Sequence, residues 1–501
     1  MSGWRRDIAI LIFLQVVLGL IYLGSIPRIH IDEAWDSALG YNLAFKGSLS
    51  HPFIEGFGGM DVHFVQNRVV LPFFCAAIFK VAGYSILTSR MGSLMFGLLA
   101  VFSLYAVMRR WFGEKQAFWI CLATIIHPWF FEVSRRARPE IYYTALALAF
   151  LLLLILFFES GSRRTAFLAG VLAGLSALTH PNGLVIVFSV SFAVVLWSKI
   201  RSIGRLIQWS SVGFLLVILP YIVYVLLAIQ DSQVSFYEQM APTILQKSFL
   251  HSEIIRWRFF LQWPKGAPLA IVMLTSWVLV WHRSSTTDKT IATIIALFIF
   301  ILPFTSVNAT GRYLVAIVPF SSTLIVRLIW RIIKGNDVIL QKYHKTRLAI
   351  SMCTTVVYLS TCIFAIGLLF HRFLGADFDK VINQVASVVE PNSRVYGDPV
   401  LWFGHERYQY GPWLYIPENE TITLRAAINW AAKHRFDYAV RTAWKATIPM
   451  GIQLPPRSMP DLKDGFLGDY ICRIFGTKVE EFYDPYYGAM EIYKLDWNKP
   501  F

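Results

Sequence analysis

Apolar residues in this chain come in long blocks separated by short polar breaks. Eleven blocks approach the roughly 20 residues that a helix needs to cross a bilayer. They are 8–27, 86–108, 115–131, 140–158, 165–180, 183–198, 209–229, 268–282, 290–305, 312–330 and 348–370. They are helix-length and do not alternate, which predicts a polytopic α-helical membrane protein and excludes a barrel. The pair at 165–198 is broken by Pro181-Asn182-Gly183 and reads either as two spans or as a re-entrant hairpin. A further apolar piece at 69–83, interrupted by Lys80, reads as a helix lying at the interface.

After residue 370 the pattern changes. Helix-like periodicity at 377–390 and 421–434 is mixed with strand-like runs at 393–400, 437–443, 478–483 and 489–495. This divides the chain into a transmembrane domain, 1–370, and a C-terminal soluble α/β domain, 371–501.

Composition agrees. Of 501 residues, 56% are hydrophobic and 15% charged, against about 25% charged in soluble domains. All of the net charge of +15 lies in the membrane part, because residues 371–501 hold 15 Lys and Arg against 16 Asp and Glu. The excess sits in short loops, the positive-inside pattern, and argues against nucleic acid as a partner. It sets the N-terminus in the cytoplasm, and a long first loop (28–85) and the C-terminal domain outside. The five cysteines form no disulfide or zinc pattern, which favours a prokaryotic plasma (inner) membrane. Two sequons, at Asn308 and Asn419, fall on the outer side.

The candidate chemistry also gathers outside. The first loop opens His30-Ile31-Asp32-Glu33-Ala34-Trp35-Asp36. On a helix, Asp32 and Asp36 share one face at i, i+4. Acids there suit a capped interfacial helix; they also suit a carboxylate acting as general base at the membrane surface. Ser134-Arg135-Arg136-Ala137-Arg138-Pro139-Glu140 places three arginines where the charge rule disfavours them. They read as ligands for an anionic headgroup or as partners of nearby acids such as Glu132. Thr179-His180-Pro181 breaks a membrane helix, and Gly311-Arg312-Tyr313-Leu314 opens another at the same face. No P-loop or Gly-rich dinucleotide motif is present, so a lipid-borne donor fits better than a nucleotide-activated one.

Over residues 7–335 the chain resembles the polyprenyl-phosphate-sugar glycosyltransferases of the GT-C class, the group that includes protein O-mannosyltransferases and the lipid A aminoarabinose transferase. The resemblance rests on Asp32-Glu33-Ala34, on Leu71-Pro72 through Phe79-Lys80-Val81-Ala82-Gly83, and on Ser89-Arg90, Tyr105 and Arg109-Arg110-Trp111-Phe112-Gly113. It continues through Ser134–Glu140, Leu178-Thr179-His180 and Gly311–Leu314. It implies that Asp32 is the base that activates the acceptor, with Glu33 as its neighbour. It implies that Arg138 and Arg312 hold the donor phosphate. Many members carry Lys-Pro-Pro where this chain has Arg68 ahead of Leu71-Pro72, and Lys where it has His180. Arg68 and His180 therefore join the donor-site candidates, and the donor sugar stays unnamed.

The expected protein is an inverting glycosyltransferase. It takes a monosaccharide from a polyprenyl-phosphate donor to a glycan, lipid or protein acceptor, with the segment 230–267 as a lid. Asp36, Asp61, Glu140 and Tyr313 are further site candidates. Asp32, Glu33, Asp36 and Asp61 are acids of the type that hold Mg²⁺ or Mn²⁺, but the resemblance implies chemistry without metal, so no cofactor is expected. The alternative is a transporter or flippase of a lipid-linked sugar, which would use the same arginines without chemistry.

Overall fold

A computed structural model describes residues 3–52, 59–197, 203–235, 274, 285–305, 311–334, 344–411, 424–442 and 471–499. The block 268–282 apart from residue 274, the segment 230–267 beyond residue 235, and both sequons lie outside the described residues.

The membrane part begins with α1 (Gly3–Leu20) and α2 (Ile31–Tyr41), which runs into a π-helical turn, Asn42–Lys46. Then come α3 (Val70–Ala82), α4 (Ile86–Phe112), α5 (Glu114–Ile125), α6 (Pro128–Val133) and α7 (Pro139–Ser160). They are followed by α8 (Arg163–Thr179), α9 (Pro181–Trp197), α10 (Ile203–Ala228) and α11 (Thr286–Thr305). A 3-10 segment, Gly311–Ile317, leads into α12 (Val318–Lys334), and α13 spans His344–Phe373. Five stretches among the described residues are long and apolar enough to cross a bilayer: α4, α7, α10, Arg312–Lys334 and Ala349–Val388.

Helix α7 is the centre, packed against α4, α8 and α9, with Tyr142 and Tyr143 fully buried. Helix α10 lies at the rim and exposes Leu215, Leu216, Leu219, Val223, Leu226 and Leu227. An apolar surface of that kind is solvated by lipid tails. Small residues set the approach of α8 to α10. A Cβ at Gly170 would lie 1.9 Å from the Ser210 carbonyl oxygen, and one at Gly213 would lie 2.1 Å from that of Phe167.

Two predicted boundaries change, each where a side chain caps the backbone. The first block, 8–27, is helical only to Leu20. The Arg135 guanidinium takes the carbonyls of Leu18, Ile21 and Ile26, so the chain turns there under a side-chain cap. The block 115–131 breaks between α5 and α6, where His127 caps the backbone N–H of Trp129 at 3.2 Å and Pro128 occupies the first helical position. The interrupted block 165–198 forms two separate 17-residue helices, α8 and α9, hinged at His180. The piece at 69–83 is helical, as α3, and tucks between α2 and α4.

The C-terminal part holds α14 (Phe378–Val388), β1 (Arg394–Tyr396), β2 (Gln409–Tyr410), α15 (Leu424–His434), β3 (Tyr438–Thr442), β4 (Gly476–Asp484) and β5 (Gly488–Leu495). The sheet order is β2-β1-β3-β5-β4, parallel across the first three strands and antiparallel across the last three. The predicted strand 393–400 shrinks to β1 because Asp398 caps a 3-10 turn that Pro399 opens. Strand β2 has two residues and no pattern to announce it. The core of this sheet is continuous with the first loop: Ile29, Ala34, Ala38, Leu39, Met60, Phe64 and Ile86 share one buried cluster with Phe378, Val381, Leu401 and Met490.

Candidate active site

The site is built on the first turn of α2. His30 caps it: its Nδ1 accepts from the Asp32 N–H at 3.1 Å, and Glu33 reaches back to the His30 N–H at 3.0 Å. This reciprocal cap fixes the direction of the helix. It also requires a neutral ring with Nδ1 unprotonated, and burial lowers the proton affinity of His30 accordingly.

Glu33 points into the protein. Arg90 on α4 grips it with two parallel bonds of 2.8 and 2.9 Å, and the Ala137 N–H donates to it at 3.2 Å. The remaining Arg90 donors go to the carbonyls of Leu23 (2.7 Å) and Pro27 (2.8 Å). Burial works against the Glu33 carboxylate, but the Arg90 pair holds its pKa below the usual range. Neither side chain is more than 1% exposed. The pair locks α2 to α4 and to the loop before α7.

Asp32 points the other way, with 39% of its side chain exposed. It is bonded by Arg138, the residue before α7. Arg138 in turn holds Glu140 with bonds of 2.7 and 3.1 Å. Burial raises the proton affinity of Asp32, but Arg138, with smaller help from His30 and Arg68, brings it well below the ordinary carboxylate range. Asp32 is therefore an ionised acceptor at neutral pH, with an open side.

One turn on, Asp36 lies on the same face, 1% exposed, with no hydrogen-bond partner for Oδ2 among the described residues. Burial pushes its pKa up to about 7, with Arg68 opposing and Asp32 adding to the rise.

Two other guanidiniums complete the cluster. Arg68 lies close enough to Asp36, Tyr313 and Asp32 to interact electrostatically, and Arg312 to Arg136, Arg138, Glu132 and Asp32. Neither guanidinium makes an ion pair or side-chain hydrogen bond among the described residues. His180 and Tyr313 form an aromatic wall: their rings are 5.3 Å apart, and Tyr143 lies 6.0 Å from His180.

The structure thus brings together Asp32, Asp36, Arg68, Arg138, Glu140, His180, Arg312 and Tyr313. It turns Glu33 away into the ion pair with Arg90. Asp61 is exposed in the turn after Gly59, and none of the bonds described above reaches it. The arginine triplet separates by role. Arg135 caps α1, Arg136 pairs with Glu132 at 3.1 Å, and Arg138 is committed to two carboxylates. Arg90 was given no role in the sequence reading. Its signal was present: an arginine inside an apolar helix needs a buried partner. Among the described residues no three His, Cys, Asp or Glu side chains gather in a group that could hold a metal ion.

A partly exposed carboxylate beside two open guanidiniums can orient a hydroxyl and hold a phosphate at the same time. The fold has known counterparts. ArnT from Cupriavidus metallidurans, bound to undecaprenyl phosphate, superposes with a TM-score of 0.63 at 13% identity, covering 99% of each chain. The apo oligosaccharyltransferase of Archaeoglobus fulgidus gives a TM-score of 0.56 at 12% identity, covering all of this chain and 75% of its own. Archaeal AglB from the same organism, in complex with an inhibitory peptide and a dolichol-phosphate, gives 0.54 at 13% identity with the same coverage. A search of the curated proteins returns no match.

The chain thus shares the fold of ArnT and of the archaeal oligosaccharyltransferase, with several helices long and apolar enough to cross a membrane. Within it, residues 67–224 match the family described as dolichyl-phosphate-mannose-protein mannosyltransferase. That stretch contains Arg68, Arg90, Arg138, Glu140 and His180 but not Asp32, Asp36 or Arg312.

Proposed function

We propose that this protein is an inverting glycosyltransferase. It transfers one monosaccharide from a polyprenyl-phosphate carrier to the hydroxyl of a glycan, lipid or protein on the extracytoplasmic face of a prokaryotic plasma membrane. The observation that carries this reading is the open side of Asp32, held by Arg138 next to two guanidiniums that have no carboxylate partner among the described residues. The lipid phosphates bound to ArnT and AglB support the donor class. The excess of Lys and Arg in the short loops supports a cytoplasmic N-terminus.

In this mechanism the acceptor O–H donates to Asp32, and its oxygen attacks the anomeric carbon opposite the phosphate. The bond from that carbon to the phosphate oxygen breaks, and its electron pair leaves with the phosphate. Attack from the opposite face inverts the anomeric centre. Polyprenyl phosphate departs carrying one more negative charge, which Arg68 and Arg312 stabilise. Arg138 and Glu140 hold Asp32 in place, Glu33 and Arg90 hold the helix, and His180 and Tyr313 wall the donor pocket. No metal takes part, so EDTA leaves the rate unchanged.

The test is release of free polyprenyl phosphate by protein in lipid nanodiscs, offered a panel of polyprenyl-phosphate sugars and acceptors. Release from one donor, reduced about 10²–10⁴-fold by Asp32→Asn, is expected. A donor that binds but is moved across the bilayer without cleavage would make the protein a flippase instead.

A further inference from the structure

The reaction leaves a proton to be placed. The acceptor hydroxyl loses it, and Asp32, held ionised by Arg138, has little affinity for it. Four acids among the described residues are no more than 1% exposed: Glu33, Asp36, Glu140 and Asp288. Three of them are gripped by arginine. Asp36 is the exception, with its Oδ2 buried and without a hydrogen-bond partner among the described residues.

Its surroundings are mixed. Arg68 and Arg138 favour its charge, while Asp32 on its own helix and Glu140 at the start of α7 oppose it. Cys75 on α3 and Tyr142 on α7 lie close enough to feel it. A buried carboxyl balanced in this way, with one oxygen unbonded among the described residues, changes protonation with small changes in nearby charge.

We propose that Asp36 is the proton store of this site: it takes up, one helical turn behind Asp32, the proton that the acceptor hydroxyl loses. The inference rests on the donor reading above, and it specifies what drives the uptake. As the bond to the anomeric carbon breaks, the phosphate gains a negative charge and draws Arg68 toward itself. Asp36 then loses the cation that favoured its ionised form and faces a new anion nearby. The proton moves from the hydroxyl to Asp32 and on to Asp36, so charge stays balanced inside the site. When polyprenyl phosphate leaves, Arg68 returns and Asp36 releases the proton. The proximity of its pKa to neutrality, about 7, is consistent with a group that can do both.

The experiment uses the full chain in nanodiscs with undecaprenyl phosphate as probe. Binding is read by thermal shift, and protonation by infrared difference spectroscopy at about pH 8. Wild type is expected to bind and to gain a protonated-carboxyl band on binding. The band should persist in Asp32→Asn, vanish in Asp36→Asn, and move rather than vanish in Asp36→Glu. Binding without the band, or a band that survives Asp36→Asn, overturns the store. Absence of binding overturns the donor reading itself, so the two failures are distinct. With a working donor, Asp36→Asn should slow turnover roughly tenfold or more and flatten the pH–rate limb near neutrality, and Asp36→Glu should restore the limb. A uniform loss with the limb intact would mark Asp36 as merely structural.

Discussion

Two buried charge clusters lie near opposite ends of α4, and they are built differently. Near its last residue, Phe112, Asp288 on α11 accepts from Arg327 (3.0 Å), Arg331 (2.5 Å) and the Ser285 hydroxyl (2.7 Å). Arg327 also reaches Gln116 on α5 at 2.9 Å and lies 4.3 Å over the Phe112 ring. Both carboxylate oxygens are bonded, and the network ties three helices together. Near Arg90, about 33 Å away along the helix axis, the loop-face cluster has more charge and fewer bonds. Asp36 has a bare oxygen, and Arg68 and Arg312 have no carboxylate partner among the described residues. A closed network holds helices; an open one is left able to bind something else. Burial alone does not separate the two, since both are inside. The count of satisfied donors and acceptors does.

Breaking each cluster should therefore cost different things. The largest effect is expected from Asp288→Ala, which strands two arginines. It should remove about 3–5 kcal/mol of stability, seen as a large drop in thermal midpoint, with the rate per folded molecule unchanged. Arg68→Ala and Arg312→Ala should behave in reverse. Each should cost on the order of 10²–10³-fold in phosphate release while the thermal midpoint stays within the range of a surface substitution, about 0.5 kcal/mol. Equal effects on stability and rate in all three variants would erase the distinction.

The Glu33–Arg90 pair lies beside the open cluster but is closed, and it sharpens the comparison. Glu33→Gln should lower stability by about 2–4 kcal/mol at neutral pH. Glu33 has a lowered folded pKa, so its contribution is complete above its unfolded value and is lost as pH falls through the folded one. The gap between wild type and variant should narrow in acid. Asp36 has the opposite sign. Its folded pKa is raised to about 7, so its contribution is complete below the unfolded value and is lost as pH rises toward and through neutrality. The smallest effect follows: Asp36→Asn should be more stable than wild type at about pH 8, by roughly 1–2 kcal/mol. The advantage should shrink as pH falls and be gone below about pH 4. Thermal melts across pH measure both.

The sequence carried the helical, multi-pass character of the chain, because a run of about 20 apolar residues has few other uses in a chain. It misjudged ends where a distant side chain intervenes. Nothing in residues 8–27 shows that Arg135 will take the carbonyls at the end of α1. The site was legible in its residue types and less so in its pairings. Asp32, Arg68, Arg138 and Arg312 stood out as charges at a membrane face. That Arg138 serves two carboxylates while Arg68 and Arg312 stay open depends on contacts between residues as far apart as 32 and 138. Arg90 and Glu33 are 57 positions apart, beyond any local pattern. In the C-terminal domain, β4 and β5 followed from alternation, while the two residues of β2 had no pattern to read.

The core that α2 shares with the C-terminal sheet bears on how parts of this protein could be exchanged. The first helix of that part starts at Phe378, but the apolar contacts begin at Ile29 and continue through Ala38 and Phe64. The helix that carries Asp32 and Asp36 therefore has two supports, one in the membrane and one above it. A chimera that replaced residues 371–501 with the equivalent part of a relative would join two surfaces that had not been selected together, directly behind Asp32. One that also carried residues 29–64 would keep the seam intact. Recombination in such a protein has a natural cut that runs through three dimensions and not along the chain.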